Sequence, residues 1–192
     1  SFGWLRHFRD ITDKGQRRFA RTLVLDWIGR NQNFDRDSWA TYVTARRILN
    51  WLKVYDLLTE DASSDEVRRI NAALNRQVQS LRIRAKLDTE PVAQLMAGVA
   101  LVGAGLCSSE PPKDFETLVR RLDLLVQRQF DRDGLHISRS PQIQIQILAE
   151  LIPVHHLLRV RCSDLAATLN PRMEAMHRAL DALVLGTREP VY

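Results

Sequence analysis

Apolar side chains recur at helical spacing along almost the whole chain, and this pattern constrains the fold more than any other feature. Between residues 13 and 28 the apolar positions lie three or four residues apart, which places them on one face of a helix. They are Phe19, Ala20, Leu23, Val24, Trp27 and Ile28. Similar stripes follow in each later segment. The sequence therefore predicts an all-α protein.

Several helix starts can be placed from local signals. Ser63 with Glu66 three residues later predicts a capping box. Pro91 suits the first position of a helix, and Ser140 before Pro141 is typical of an N-cap followed by a first-turn proline. The loops between these helices are mostly short, which favours antiparallel neighbours. We expect one α-helical domain over residues 1–192.

Other boundaries depend on weaker signals. Ser38 is a plausible N-cap for a helix that continues to Tyr55. Residues 142–147 alternate between polar and apolar, so a strand competes there with a helix. We favour a helix, kinked or broken at Pro153, because apolar residues continue beyond this stretch at helical spacing. A last helix is predicted from Asn170 to Gly186.

The charge of the chain indicates one class of partner. The net charge is +5, and only four of the 28 basic residues are lysines. Arginine binds carboxylate, sulfate and phosphate groups through two parallel hydrogen bonds, so an acidic polymer is a possible partner. Solvated helix faces in an arginine-rich protein explain the same composition.

Several functional classes lack their sequence signals. No apolar run approaches the roughly 20 residues that span a bilayer, and Ser1 is not followed by a signal-peptide pattern. No nucleic-acid-binding motif is found, so we expect no nucleic acid partner. The histidines and cysteines lack metal-ligand spacing, and no dinucleotide or phosphate-binding motif is present. We therefore expect neither a metal nor a cofactor.

A series of landmarks in fixed order resembles one known family. They are Trp4-Leu5-Arg6, Leu25-Asp26-Trp27-Ile28, Arg46-Arg47 before Asn50-Trp51-Leu52, the small-residue run Ala100 to Leu106, and Asp133-Gly134-Leu135-His136 followed by Arg139-Ser140-Pro141. Together they resemble the helical part of the heparinase II/III-like family. The resemblance implies an incomplete α/α toroid of antiparallel helix pairs, followed in family members by a β-rich region that this chain does not contain. It also implies a polysaccharide lyase that acts on acidic, uronic polysaccharides, often in the periplasm; the residues themselves do not fix the compartment.

The catalytic residues of such lyases are not evident here. β-Elimination needs a group that neutralises the uronic carboxylate, a base and an acid. In the family an Asn-His pair typically precedes the small-residue helix, and a Tyr-His pair follows the D-G segment. Here Glu90-Pro91 and Ile143-Gln144 occupy approximately those places, so we expect no β-elimination from this chain alone.

Four residues remain as candidates for binding an acidic polysaccharide. His136 and Arg139 lie in the matching D-G loop, and Arg47 belongs to the Arg46-Arg47 landmark. Trp39 could form a sugar-stacking platform with Trp51 and Tyr55 of the same predicted helix. The alternative for His136 is a role in stabilising its loop, and aromatic residues such as Trp39 more often pack in a core. Two other interpretations stay open at this stage: a non-catalytic glycan-binding or structural domain, and an unrelated α-helical scaffold that binds protein partners.

Overall fold

The protein is described by a computed structural model that covers residues 2–8 and 11–182. Within these residues the secondary structure is helical, with one isolated β-bridge between Phe130 and His136 and no strand. This confirms the predicted all-α class. A 3₁₀ helix precedes nine α-helices in the described part of the chain. The 3₁₀ helix is Gly3–Phe8, and the α-helices are α1 (Lys14–Arg30), α2 (Thr41–Lys53), α3 (Tyr55–Thr59), α4 (Ser64–Leu87), α5 (Pro91–Cys107), α6 (Phe115–Gln129), α7 (Pro141–Arg161), α8 (Ser163–Ala166) and α9 (Asn170–Ala182).

The predicted caps define three of the helix starts. At α4 the Ser63 hydroxyl accepts from the Glu66 amide at 3.3 Å, and the Ser63 amide donates to the Glu66 carboxylate at 2.8 Å. This hydrogen bond from the Ser63 amide holds the pKa of Glu66 below its usual range. Pro91 begins α5, and the Ser140 hydroxyl caps α7 ahead of Pro141. Local sequence signals fix these starts because each cap needs only residues within one helical turn.

The helix predicted to start at Ser38 begins later and ends sooner. The structure starts α2 at Thr41 and interrupts it at Val54, after which the short α3 follows. Asp35 explains the late start, because its carboxylate accepts from the Ser38 hydroxyl and from the amides of Asp37 and Ser38. Ser38 is thereby held in a turn and does not cap a helix.

Helix α7 resolves the competition between strand and helix. Residues 142–147 are helical, and the helix continues through Pro153 to Arg161. The helical interpretation is confirmed for this stretch, and the helix does not break at the proline. The predicted end of the last helix at Gly186 lies outside the described residues.

The chain divides into two compact units, Ser1–Ala104 and Gly105–Tyr192. In the first unit, α1 packs against α3 and α4, and α2 packs against α4 and the 3₁₀ helix. The core between these helices is built from buried residues of every element in the set, among them Leu5, Val24, Trp51, Leu58 and Ile70.

Aromatic rings join the N-terminal segment to this core. The ring of Phe2 meets Trp27 and Trp51 edge to face, with centroids 5.5 and 5.6 Å apart, and Trp27 meets Trp51 at 5.8 Å. Edge-to-face contacts of this kind stabilise beyond the area they bury, by about 0.5–1.5 kcal/mol per pair. They bring α1, α2 and the first residues of the chain together.

In the second unit, polar contacts join the helices in pairs. Arg172 of α9 forms an ion pair with Asp123 of α6 at 3.4 Å. His155 of α7 lies 2.9 Å from the Asn170 side-chain oxygen at the start of α9. Burial lowers the pKa of His155, so the ring is neutral at physiological pH and its Nε2–H donates to Asn170. Each contact fixes one helix against α9.

The loop between α6 and α7 packs closely on α9. Its turn is centred on Gly134, which has a φ of +83°, a conformation that glycine adopts without steric cost. A Cβ at this position would lie 2.3 Å from the backbone carbon and oxygen of Ala175. Gly134 therefore satisfies two demands at once, a left-handed turn and contact with a helix backbone.

We expect Gly134→Ala to destabilise the protein by about 2–4 kcal/mol, because it adds strain in the left-handed region to a clash with α9. Urea unfolding followed by circular dichroism measures this loss. Gly29→Ala is the matched control, since a Cβ at Gly29 would meet nothing within 4 Å. Equal stability of the two variants would contradict the close packing described.

Candidate functional site

Arg47 is the most unusual of the predicted binding residues, because its charged side chain is only 1% exposed. Its Nε donates to the Gln77 side-chain oxygen at 2.5 Å, and its Nη1 donates to the Ser38 carbonyl at 2.7 Å. Gln77 is itself held by a hydrogen bond to the Ala73 carbonyl. Arg47 thus connects α2 to α4 and to the turn before α2.

Two indole rings complete the surroundings of Arg47. Its guanidinium carbon lies 4.3 Å from the centroid of Trp27 and 5.6 Å from that of Trp39. Among the described residues it forms no ion pair with a carboxylate, and Asp35 is the anion that favours its charged form. Burial lowers the pKa of Arg47 to about 10, so the side chain stays protonated at neutral pH. Aromatic faces and neutral oxygens therefore stabilise this cation.

Trp39 does not offer a ring face to a sugar. The residue is buried, its carbonyl accepts from Arg84 at 2.8 Å, and its ring lies beside Arg47 and Phe34. The other aromatic residues considered for stacking are also occupied. Trp51 is buried, and the Tyr55 hydroxyl donates to the Asn71 side chain at 2.8 Å. Core packing, the alternative considered for these aromatic residues, is what the structure shows.

His136 is likewise buried and held by its own loop. Its Nδ1 accepts from the Ser138 amide at 3.1 Å, so the proton of the neutral ring is on Nε2, which lies 3.3 Å from the Gln129 side-chain oxygen. The His136 amide donates to Gln144, whose side-chain nitrogen donates to the Gly134 carbonyl. These contacts match the loop-stabilising alternative for this histidine.

In the sequence, Gln144 was noted only as a residue that cannot supply acid or base chemistry at an approximate catalytic position of the family. Its structural role was not predicted. In the structure its amide bridges two backbone groups of the D-G loop and is buried. The sequence signal for this role is a polar residue among the apolar positions of α7, a pattern that the buried Glu150 and His155 share.

Arg139 is the one candidate of the four whose side chain is largely exposed. Its guanidinium pairs with Asp131 at 3.0 Å, and its φ of +55° is unusual for a residue with a side chain. The Asp131 carboxylate also accepts from the Leu135 and Asp133 amides, and the hydrogen bond from Leu135 holds the pKa of Asp131 below its usual range. The ion pair closes the base of the loop.

The structure thus groups the four candidates into two pairs. Arg47 and Trp39 lie together in the first unit, while His136 and Arg139 share the α6–α7 loop of the second unit. Three of the four are buried among partners within their own unit. The side-chain polar atoms of Arg47 and His136 form hydrogen bonds within the fold.

A concavity in the second unit was not anticipated from the sequence. It has a volume of about 380 Å³ and lies between the α6–α7 loop and the end of α9. Arg132 and Arg178 line it together with Asp133, and the remaining lining is apolar: Leu135, Ala179 and Ala182. Two arginines beside the Asp133 carboxylate suit a small anionic group.

Two further properties concern metals and membranes. Among residues 2–8 and 11–182, no three His, Cys, Asp or Glu side chains are grouped as metal ligands. None of the described helices combines the length and the apolar character that crossing a membrane requires.

Comparison with known proteins identifies a relative that is named for its localisation with FtsZ. The chain is 30% identical over 193 residues to FtsZ-localized protein C of Caulobacter vibrioides (strain NA1000 / CB15N), an alignment that covers 97% of this chain. The chain spans about a third of that relative's length, 31%. No family model matches the chain. No solved structure matches it either.

This finding overturns the predicted function. The expectation of a lyase acting on acidic polysaccharides, with a non-catalytic glycan-binding domain as its alternative, is wrong, because the relative is named for its localisation with FtsZ. The prediction failed for a physical reason as well as a comparative one. Arg47, Trp39 and His136 were predicted to bind substrate from their residue types and their order in the sequence. In the structure all three are buried inside the fold.

We expect Arg47→Ala to lower the free energy of unfolding by about 3–5 kcal/mol. The substitution leaves a cavity and removes the donor to the Gln77 side-chain oxygen and the Ser38 carbonyl. Arg47→Lys keeps the positive charge but loses the several donors of the guanidinium group. Its free energy of unfolding should lie between those of the parent and Arg47→Ala. Thermal and urea unfolding measure both variants. Arg128→Ala, at an exposed arginine, should stay within about 0.5 kcal/mol of the parent. An Arg47→Ala protein as stable as Arg128→Ala would show that the buried cation is dispensable.

Proposed function

We propose that this chain is a non-catalytic helical interaction module of a protein that localises with FtsZ. The observation that carries the proposal is the 30% identity to FtsZ-localized protein C, which extends over 97% of this chain. Because the chain spans only 31% of that relative, localisation is a property of the longer protein to which such a segment contributes.

The geometry of the candidate residues supports a binding role over catalysis. Arg47 and His136 are buried with their polar atoms engaged, so neither is placed to contact a substrate. Large apolar side chains are exposed on helix faces instead, including Phe19 on α1 and Ile83 and Leu87 on α4. Helix faces of this kind are what partner proteins contact when they bind helical domains.

We propose further that the scaffold is an incomplete α/α toroid of the heparinase II/III-like kind, used without lyase chemistry. Its support is the ordered set of sequence landmarks and the short connections between consecutive helices. A β-rich region beyond residue 192 stays a prediction of the resemblance. So does the single domain over residues 1–192.

The proposed function is tested by imaging a fluorescent fusion of the protein, expressed from its complete coding frame, in cells that also carry labelled FtsZ. We expect the two signals to coincide, and the fusion to disperse when FtsZ is depleted. The fluorescent protein alone is the control. A uniform distribution, or a pattern that persists without FtsZ, would contradict the proposal.

A further inference from the structure

One face of α4 is exposed along most of the helix. Its exposed positions follow the spacing of a single helical stripe, seven residues separating Arg69 from Arg76 and Arg76 from Ile83. We call this set the α4 stripe; its members are Arg69, Ala72, Arg76, Gln79, Ile83, Lys86 and Leu87, all exposed. Ile83 and Leu87 are 64% and 77% exposed and lie one turn apart. They form an apolar pair at the C-terminal end of the stripe.

The α4 stripe carries charge of one sign. Three of its members are cations, and the only acidic residues of α4, Asp65 and Glu66, lie in the first turn. Both are engaged: Asp65 pairs with Arg68 at 2.5 Å, and Glu66 completes the capping box and pairs with Arg21 at 3.4 Å. The second half of the helix is therefore basic.

Two carboxylates follow the C-terminal end of α4, and both accept from backbone amides. The Asp88 side chain accepts from the Glu90 amide at 2.9 Å, and the Glu90 side chain accepts from the first amides of α5. These hydrogen bonds direct the two carboxylates to the turn between α4 and α5, and no ion pair joins either of them to the described residues of the α4 stripe.

A third large apolar side chain, that of Phe34, flanks the α4 stripe. The loop before α2 runs beside α4, since Arg76 donates to the Gln32 carbonyl at 3.4 Å and the ring of Phe34 lies 4.0 Å from the Arg84 guanidinium carbon. Phe34 is more than half exposed and is held in place by Arg84 and by Trp39 at 5.5 Å. The surface thus combines three fixed apolar side chains with cations.

We propose that the α4 stripe binds an amphipathic helix of a partner protein, one that presents an apolar pair flanked by acidic residues. The apolar pair of the partner would pack on Ile83, Leu87 and Phe34. Its carboxylates would meet Lys86, Arg76 and Arg69; Arg69 and Lys86 lie 17 positions apart on α4, about 26 Å at 1.5 Å per residue. A second copy of this chain cannot pair through the same surface, because two basic stripes repel each other. The inference goes beyond the proposed function and holds whether or not FtsZ is the partner.

The test is photo-crosslinking in living cells, with the protein expressed from its complete coding frame. A photoreactive amino acid replaces Ile83, and a control carries it at Val160, which is 71% exposed on α7. Mass spectrometry then identifies the crosslinked segment. We expect position 83, and not position 160, to crosslink to a segment of another protein that has net negative charge and apolar residues four apart.

Charge reversal provides the matched comparison. Arg69→Glu with Lys86→Glu should lower the crosslinking yield at position 83 about tenfold, because each substitution replaces an attraction to the partner's carboxylates with a repulsion. Lys113→Glu with Arg128→Glu changes the net charge equally at exposed sites outside the α4 stripe, and should leave the yield unchanged. All four substitutions alter exposed side chains, so the fold is retained.

Each other outcome overturns the proposal. Crosslinks to lipid would assign the surface to a membrane, and crosslinks within the same chain or to a second copy would assign it to the protein itself. A basic or uncharged partner segment, equal yields at positions 83 and 160, or no crosslink at position 83 would also refute it. So would a yield that falls equally in the two charge-reversed variants.

Discussion

The first unit depends on the burial of one positive charge. Removing a guanidinium from water is costly unless its donors are satisfied and its charge is stabilised. Arg47 meets this demand with the Gln77 amide, the Ser38 carbonyl and the faces of two indoles, and without a carboxylate in contact. These partners come from α1, α4 and the turn before α2. A displacement of any of these elements would expose unsatisfied donors, so a single side chain fixes the arrangement of all of them.

In the second unit, a backbone conformation has the role that a buried charge has in the first unit. Gly134 allows the α6–α7 loop to contact the backbone of α9, and the loop is then closed by His136, Gln144 and the Arg139–Asp131 ion pair. Residues that look catalytic in a sequence, a histidine and an arginine beside a D-G turn, here stabilise a loop. Because these polar groups bind one another within the loop, we expect partner proteins to contact exposed helix faces instead.

The sequence was sufficient for helix starts where no nearby side chain competes for the capping group. The capping box at Ser63 and the Ser140-Pro141 start were predicted correctly, because each involves residues within one turn. It was insufficient at Ser38, where Asp35 competes for the same hydroxyl. It was also insufficient for Arg47, whose partner Gln77 lies 30 residues away and becomes relevant only when α2 packs on α4. Burial is a tertiary property that a pattern of residue types does not contain, so the sequence did not indicate that Arg47, Trp39 and His136 lie inside the fold.

We propose that this helical segment contributes to localisation with FtsZ. The most direct measurement fuses residues 1–192 to a fluorescent protein and records the overlap of its signal with labelled FtsZ in single cells, with the fluorescent protein alone as the control. We expect the fusion to overlap with FtsZ more than the control does, and to lose this overlap when FtsZ is depleted. An overlap no greater than that of the control, at equal protein abundance, would contradict the proposal.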